Sequence, residues 1–341
     1  MRAEIDKAIA SVLDSGRFIQ GPEVVGFEEE LAQLSGAKHA VGVSSGTDAL
    51  LCSLMGLGVG HGDEVVTTAF TFFATGGVIA RLGATPVFAD IDPLNFCLDP
   101  KSAESKISKK TKAIMPVNLF GRLAKLPKVD VPILEDAAQS IGTSPPRGIA
   151  AGISFFPTKN VGAVGDAGAI LINDSDFADK IKKLRNHGAK PKYYHALVGG
   201  NFRLDAIQAA ILRIKLPYLK EWNEIRKENA KRYRDAFAGA NLPAEFCCPE
   251  DDKEHIYHQF TLRVPKRDAL RAYLKERHIA AEVYYPVPLH QQECFKHLGY
   301  KKGSLPHTEK ACKEVLSLPI HPTITKTQQE RVVESVVQFY K

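Results

Sequence analysis

The sequence predicts an α/β fold, with a mostly parallel sheet covered by helices, followed by a small α+β domain. Short apolar runs alternate with helix-like segments from residue 37 onward, and several of these segments end in glycine. The alternation stops after a long helical pattern, and a shorter mixture of strands and helices follows. We therefore expect a large domain at residues 1–220 and a small carboxyl-terminal domain at 221–341.

Seven short apolar runs are the predicted strands of the large domain. They lie at 39–43, 63–70, 84–90, 112–117, 131–138, 152–156 and 168–173. Between them, stretches such as TDALLCSLMGLG and FFATGGVIARLG have helical spacing and end in glycine, as helices with C-caps do.

A long helical pattern at 203–238 connects the two predicted domains, and Pro217 should kink it. Beyond it we predict a strand at 258–264, the amphipathic helix KRDALRAYLKERH, a second strand at 279–287, and two helices that reach the carboxyl terminus.

Composition excludes several classes of protein. The chain has 341 residues, of which 44% are hydrophobic and 25% charged, as in an ordinary soluble globular protein. Its net charge of +6 is spread out, which suits anionic small molecules and not nucleic acid. The sequence has neither a membrane-length apolar run nor a signal core, so we expect a cytoplasmic protein. The six cysteines lack CxxC spacing and are expected to be free thiols.

Residues suited to chemistry follow several predicted strands, where open α/β sheets bind their ligands. In VSSGTDAL, a strand is followed by a tight turn and a helix start, so the free N–H groups at Gly46 and Thr47 could bind a phosphate. The alternative is an ordinary helix cap, for which Thr and Asp are common.

An aromatic side chain and a carboxylate follow two further strands. Phe72 in FTFFAT could stack on a flat ring, although apolar aromatic side chains usually pack in cores. Asp136 in LEDAAQ closes the most hydrophobic strand, and it needs a partner because burying an unpaired carboxylate is costly.

The segment ISFFPTKN supplies a hydroxyl at Ser154 and an amine at Lys159. Most lysines lie on the surface, which is the alternative for Lys159. Lysine, aspartate, a phosphate seat and a ring stacker are together what pyridoxal 5'-phosphate (PLP) requires. Lys159 would hold the cofactor aldehyde as a Schiff base, and Asp136 would keep the ring nitrogen protonated.

Nine stretches carry a resemblance to a known family. RFIQGPEV, SSGTDAL, GDEVVTTAFTFFAT, EDAAQS, SFFPTKN, LRNHG, GNFRLDAIQAAIL, YYPVPLH and SLPIHP occur in this order. The chain thus resembles, nearly end to end, the DegT/DnrJ/EryC1/StrS family of nucleotide-sugar aminotransferases, which are fold-type-I PLP enzymes. SFFPTKN and NFRLDAIQAA are its most specific blocks.

The resemblance implies a role for each matching residue. Lys159 would carry the cofactor and move the proton, and Asp136 would pair with the pyridinium. The other cofactor-binding positions would be Gly46, Thr47 and Ser154 at the phosphate, Gln139 at the hydroxyl edge and Phe72 on the ring face.

The resemblance also implies a homodimer with shared active sites. Asn201 would reach the partner's phosphate, and Arg203 and Tyr285 from the partner chain would help to hold the nucleotide sugar. Tyr284, also a substrate-binding position, replaces the histidine of a common HYP motif, and Asn118 stands where many relatives have histidine. Two shorter segments, at 121–135 and 139–154, are further departures, and all of these changes touch the predicted sugar pocket or its surroundings.

The expected activity is transfer of an amino group from L-glutamate to a keto group of a nucleotide-linked sugar, by a ping-pong Schiff-base mechanism with PLP and its amino form, PMP. One alternative is a sugar dehydratase on the same scaffold, but such relatives usually lack the lysine. Another is a non-catalytic PLP-binding regulator, although the sequence contains no visible DNA-binding segment. We expect no metal site at His255 and His258, because residues three apart on a strand point to opposite faces.

Overall fold

The computed structural model describes residues 1–341. The helices are α1 Arg2–Ser15, α2 Pro22–Ser35, α3 Gly46–Gly56, α4 Phe73–Arg81, α5 Pro100–Glu104, α6 Ser175–Arg185, α7 Ala206–Lys215, α8 Leu219–Ala238, α9 Arg267–Glu276, α10 Pro306–Glu314 and α11 Lys326–Phe339. The strands are β1 His39–Val43, β2 Glu64–Thr68, β3 Thr85–Ala89, β4 Thr111–Met115, β5 Leu134–Asp136, β6 Ala150–Ser154, β7 Gly168–Ile172, β8 Phe260–Arg263 and β9 Val315–Leu318. No helix combines the length and apolarity needed to cross a bilayer.

The large sheet has the strand order β3-β2-β4-β5-β6-β7-β1. Its two ladders, β3-β2-β4 and β5-β6-β7-β1, join through parallel bridges from Ile114 to Ile133 and from Val117 to Asp136. Only β7 is antiparallel to its neighbours, so the predicted α/β fold with a mostly parallel sheet is confirmed. The carboxyl ends of β1, β5 and β6 consequently meet at one edge.

Both faces of the large sheet are buried, which explains why its strands are near-continuous apolar runs. Side chains of α3, α4 and α6 cover one face and form a core with Val41, Val43 and Ile170. Side chains of α2 and α7 cover the other face, where Phe27 meets Phe155 edge to face at 5.4 Å. Each fully buried side chain of this size contributes about 1.5–3 kcal/mol, so the core holds the strand ends in place.

The carboxyl-terminal part differs from the prediction in two places. The second predicted strand, at 279–287, is wrong: this segment is irregular and makes only the bridge from Glu282 to Ser317. Val283 and the two tyrosines after it pack against an apolar cluster, and prolines at 286 and 288 lack the N–H groups that a ladder needs. The partner of β8 is instead β9, which follows α10 directly.

The long helical pattern is interrupted at Pro217, as predicted. One turn of 3₁₀ helix, Leu216–Tyr218, separates α7 from α8. Leu219 at the start of α8 packs in the core of the large sheet, whereas Tyr233 and Phe237 pack against β8, β9, α9 and α11. Because α8 takes part in both cores, the domain boundary at residue 220 stays a prediction.

Candidate active site

The turn between β1 and α3 forms a seat for an anion. Ser45 is the N-cap of α3, and its Oγ accepts a hydrogen bond of 3.0 Å from the Asp48 N–H. The cap and the phosphate seat predicted as alternatives are compatible, because the first N–H groups of a helix, here at Gly46 and Thr47, lack intrahelical acceptors. Thr47 is exposed at this helix end.

The end of β1, the end of β6 and the start of β7 lie near one another behind this seat. A Cβ atom on Gly46 would lie 2.7 Å from Cβ of Ser154, the last residue of β6. A Cβ atom on Gly168, the first residue of β7, would lie 2.3 Å from the carbonyl oxygen of Ser45. Both positions therefore require glycine, and the structure brings Gly46, Thr47 and Ser154 together.

Asp136 is a buried carboxylate at the end of β5. Its Oδ2 accepts a hydrogen bond of 2.7 Å from Thr75 Oγ1, and Oδ1 accepts one of 3.2 Å from the Ala138 N–H. Burial raises the pKa of Asp136, and the hydrogen bond from Thr75 is the largest opposing effect. No lysine, arginine or histidine forms a salt bridge with it.

Lys159 is half-buried in the loop that follows β6, where its backbone N–H donates a hydrogen bond of 2.8 Å to the Phe156 carbonyl. Burial lowers the pKa of its amine to about 8, and the charge of Asp136 partly opposes this effect. The ammonium forms no salt bridge and donates no hydrogen bond to a protein group, although the charge of Asp136 is close enough to affect its pKa. The site thus holds an amine and a carboxylate, each available for a ligand.

Gln139 lies at the same edge as Asp136, and both ends of its amide are engaged. Its Oε1 accepts a hydrogen bond of 2.6 Å from the Phe120 N–H, and its Nε2 donates one of 3.1 Å to the Tyr285 hydroxyl. The expectation that Tyr285 serves the partner's site is therefore wrong, because its hydroxyl reaches the site of its own chain. Burial raises the pKa of Tyr285.

Phe72 does not pack in the core. It is 59% exposed at the start of α4, and its ring centroid lies 6.4 Å from that of Tyr285. Tyr284 is half-buried next to Tyr285, at 5.9 Å between ring centroids, and burial raises its pKa. The site therefore presents an accessible aromatic face on the side of the two tyrosines.

Asn201 and Arg203 lie beside the turn that follows β1. The backbone of Arg203 forms an isolated antiparallel β-bridge with Val43, and its side-chain Nη1 donates a hydrogen bond of 3.0 Å to Asn186 Oδ1. Asn201 is exposed. The Ser44 N–H donates to the Phe202 carbonyl at 3.0 Å, which fixes the segment against the phosphate seat. The roles predicted for Asn201 and Arg203 across a dimer interface stay predictions.

Asn118 has a different environment from the one expected. It is buried, and its Nδ2 donates to Glu135 Oε2 at 3.2 Å while its Oδ1 accepts from Arg147 Nη2 at 3.1 Å. Arg147 also forms an ion pair with Glu135. Adjacent strand residues point to opposite faces, so this network lies on the other face of β5 from Asp136. Asn118 thus supports the sheet together with Arg147, which lies in the shortened segment 139–154.

Two threonines that the sequence reasoning missed hold Asp136. Thr71 Oγ1 and Thr75 Oγ1 lie 2.9 Å apart, and Thr75 donates to the carboxylate, so Thr71 donates to Thr75. Both side chains are buried. The only signal in the sequence is a pair of threonines four apart, with Thr71 just before α4 and Thr75 in its first turn.

Replacing Thr75 with valine should lower the free energy of unfolding by about 1–3 kcal/mol at pH 7, because a buried carboxylate loses a donor. The loss should be smaller at pH 4. Without Thr75 the pKa of Asp136 rises further above its ordinary value of 3.8, so protonation in the folded state lessens the cost. Urea denaturation of the cofactor-free protein at both pH values measures this. Thr75→Ser, which keeps the hydroxyl, is the matched control, and equal losses in both variants would contradict the assignment.

These groups fit PLP. The Gly46 and Thr47 N–H groups and the Ser154 hydroxyl suit a phosphate, Asp136 suits a protonated ring nitrogen, and Lys159 suits an aldehyde. Phe72 offers an aromatic face and Gln139 a polar edge. Two structural observations favour this ligand. Gly46 closely approaches Ser154, and Asp136 and Lys159 lie in the site without a salt bridge.

Comparisons with known proteins agree with the site. The sequence model of the DegT/DnrJ/EryC1/StrS aminotransferase family matches residues 1–337. A protein of Geobacillus stearothermophilus named pleiotropic regulatory protein is 48% identical over 100% of this chain and 95% of its own length. The dTDP-3-amino-3,4,6-trideoxy-alpha-D-glucose transaminase of Streptomyces venezuelae is 41% identical over 99% of this chain and 93% of its own.

A solved structure shares the whole architecture. The crystal structure of NtdA from Bacillus subtilis with bound cofactor PMP superposes with a TM-score of 0.91 and is 32% identical, covering 98% of this chain and 81% of that one. This similarity extends over both sheets and agrees with a fold-type-I architecture.

Proposed function

Because this chain belongs to the DegT/DnrJ/EryC1/StrS aminotransferase family, we propose that it moves an amino group from L-glutamate to a keto group of a nucleotide-linked sugar. It is a PLP-dependent aminotransferase, and its relatives include a transaminase of a dTDP-linked sugar. The observation that carries the proposal is Lys159, an amine without a salt bridge whose electrostatic neighbour is the buried Asp136.

The residues that would hold the cofactor are those of the site described above. Its phosphate would be bound by Gly46, Thr47 and Ser154, its ring nitrogen by Asp136, and its hydroxyl edge by Gln139. When bound, the cofactor withdraws electrons from the substrate carbon that carries the amino group, which makes the proton on that carbon acidic.

Lys159 would act as the base and acid of the reaction. With a pKa of about 8, far more of its amine is unprotonated near neutral pH than for a lysine at 10.5. Its Nζ would take the proton from the substrate carbon and deliver it during transfer. Asp136, held by Thr75 and the Ala138 N–H, would keep its carboxylate oriented toward the ring nitrogen while this occurs.

We further propose a homodimer in which the partner's Asn201 and Arg203 complete each site. Support comes from large apolar side chains that lie exposed on the loops and helix around the site, namely Phe72, Phe73, Phe156 and Val164. Exposed apolar side chains grouped in this way are typical of protein interfaces.

A mixing experiment tests the shared site. Lys159→Ala chains and Arg203→Ala chains, each inactive alone, are unfolded together and refolded into hybrid dimers. If Arg203 acts in the partner's site, one site of each hybrid has both defects and the other has neither, so activity returns. If Arg203 acts within its own chain, every site has one defect and the mixture stays inactive.

The proposed activity is tested by adding L-glutamate to the PLP-loaded protein without an acceptor. We expect about one equivalent of 2-oxoglutarate per site, followed by amino transfer to one member of a panel of UDP- and dTDP-ketosugars. Varying both substrates should give the parallel reciprocal plots of ping-pong kinetics. Lys159→Arg, which keeps the positive charge but lacks the amine that would form a Schiff base with PLP, is the control. Absence of 2-oxoglutarate from the wild-type protein would contradict the proposal.

The alternatives are not favoured. A dehydratase on this scaffold usually lacks the lysine, which is present here at 159. A regulator without catalysis is suggested by the names of two relatives, but the site brings together Lys159 and Asp136, the groups that catalysis would need. Loss of a sugar hydroxyl without glutamate consumption would indicate the dehydratase. DNA binding without amino transfer would indicate the regulator.

A further inference from the structure

A chain of buried side chains runs from α8 to the residue after Lys159. Asn223 of α8 donates from Nδ2 to the Ile141 carbonyl at 3.2 Å, and its Oδ1 accepts a hydrogen bond of 2.7 Å from Asn160 Nδ2. Asn160 Oδ1 lies 3.0 Å from His258 Nδ1. All three side chains are buried, so each loses a partner at some cost if the chain is broken.

The Ile141 end of this series of hydrogen bonds determines which ring nitrogen of His258 carries the proton. The Ile141 carbonyl only accepts, so Asn223 must present its oxygen to Asn160. Asn160 then presents its own oxygen to His258, and Nδ1 of the histidine must carry the proton. His258 is neutral, because burial lowers its pKa well below 6.5, as do the nearby charges of Lys159 and Arg226 and the neighbouring His255.

The backbone around His258 is also held firmly. The Ile256 N–H donates to the Gly121 carbonyl at 3.0 Å, and the Gln259 N–H donates to the Phe120 carbonyl at 3.2 Å. Buried Arg226 donates from Nη1 to the carbonyl of His258 at 3.3 Å. The histidine therefore has a fixed backbone position from which to hold Asn160.

We propose that His258 is a positioning residue that holds Lys159 in place by donating from Nδ1 to Asn160. This inference deepens the proposed function and rests on it. Asn160 is the next residue after Lys159, so a fixed Asn160 side chain restricts the backbone that carries the reactive amine. The same segment, through Phe120, holds Gln139 at the hydroxyl edge of the site.

Two substitutions distinguish the contributions of the two ring nitrogen atoms of His258. His258→Asn places an amide nitrogen where Nδ1 was and keeps the hydrogen bond to Asn160. His258→Gln places its amide where Nε2 was and loses that bond. The first measurement uses cofactor-free protein: reductive methylation of Lys159 at a series of pH values, quantified by peptide mass spectrometry.

In the wild-type protein the methylation midpoint should lie near pH 8. In His258→Gln a mobile, better hydrated Lys159 should shift it upward by about one pH unit, toward the ordinary 10.5. His258→Asn should keep the wild-type midpoint. In the loaded enzyme, kcat of His258→Gln should fall roughly ten- to hundredfold with the KM for glutamate unchanged, because the amine is misplaced.

Asn160→Ala removes the middle of the chain and serves if His258→Gln does not fold. It should produce the same upward shift, and in the double variant the effects should not add, because the two residues act in one chain. A wild-type midpoint in His258→Gln or in Asn160→Ala would overturn the inference, as would equal shifts in His258→Asn and His258→Gln. A shifted midpoint in a protein whose wild type transfers no amino group would support this inference and contradict the proposed function.

Discussion

Replacing Lys159 with alanine should lower kcat for amino transfer by at least about 10³-fold, while the protein stays folded. Acid–base catalysis by one side chain contributes roughly 10²–10⁴-fold, and Lys159 would also hold the cofactor. Folding should be unaffected, because the half-buried ammonium forms no salt bridge in this structure. Single-turnover formation of 2-oxoglutarate, measured with saturating PLP, reports the loss directly.

The same variant allows a positive control. A small primary amine such as ethylamine, added to Lys159→Ala, should restore part of the lost rate by entering the space of the deleted side chain. The midpoint of thermal unfolding should match that of the wild type. A variant that retains more than about a tenth of the wild-type rate without added amine would remove Lys159 from the reaction.

Replacing Asp136 with asparagine should lower kcat by roughly 10²- to 10³-fold, the usual effect of deleting one preorganised electrostatic group. Asparagine has one oxygen, so it could accept from only one of the two donors, Thr75 and Ala138, and its NH₂ group would replace the other carboxylate oxygen beside the ring nitrogen. A donor at that position cannot stabilise a protonated nitrogen. The half-reaction with glutamate, followed by stopped-flow absorbance, measures the effect separately from cofactor affinity.

Glu135 provides the comparison for Asp136. It is the preceding residue of β5, faces the opposite side of the sheet, and pairs with Arg147. Glu135→Gln should therefore lower the stability to urea and leave kcat of the folded protein close to that of the wild type. If Asp136→Asn loses less than about threefold in kcat, or if both variants lose activity equally, the assignment of Asp136 is wrong.

Strand ends could be predicted from the sequence because of a simple physical regularity. Strands buried on both faces are uninterrupted apolar runs, so a polar residue directly after one marks the edge where ligands bind. This applies to Ser44 and Ser45, which follow β1 and precede Gly46, and to Asp136 and Ser154, the last residues of β5 and β6. The position of Lys159 relative to the strand could be predicted from the sequence, whereas its burial and its proximity to Asp136 depend on the fold.

Other features depend on contacts that no local pattern reveals. Thr71 and Thr75 have no special pattern in the sequence, and only the fold brings Asp136, 61 residues after Thr75, within reach of the Thr75 hydroxyl. Asn118 was assigned to the wrong surroundings because its partners Glu135 and Arg147 are likewise distant in sequence. The 279–287 segment has the composition of a strand, but its tyrosines pack against the apolar cluster around Phe70 and make no ladder.

The reversed direction of β7 has a consequence for the geometry of the phosphate seat. Two strands on either side of a third lie about 9.6 Å apart, twice the usual spacing, so the ends of β1 and β6 should be too distant to share one small anion. Because β7 begins where its neighbours end, it contributes at that edge only Gly168, which has no side chain. Because Gly168 has no side chain, the first turn of α3 packs directly against its backbone, and Gly46 comes into contact with Ser154. A residue with no reactive group thus sets the width of the site. If every position were substituted in turn, we expect Gly168 to tolerate as few replacements as the catalytic positions.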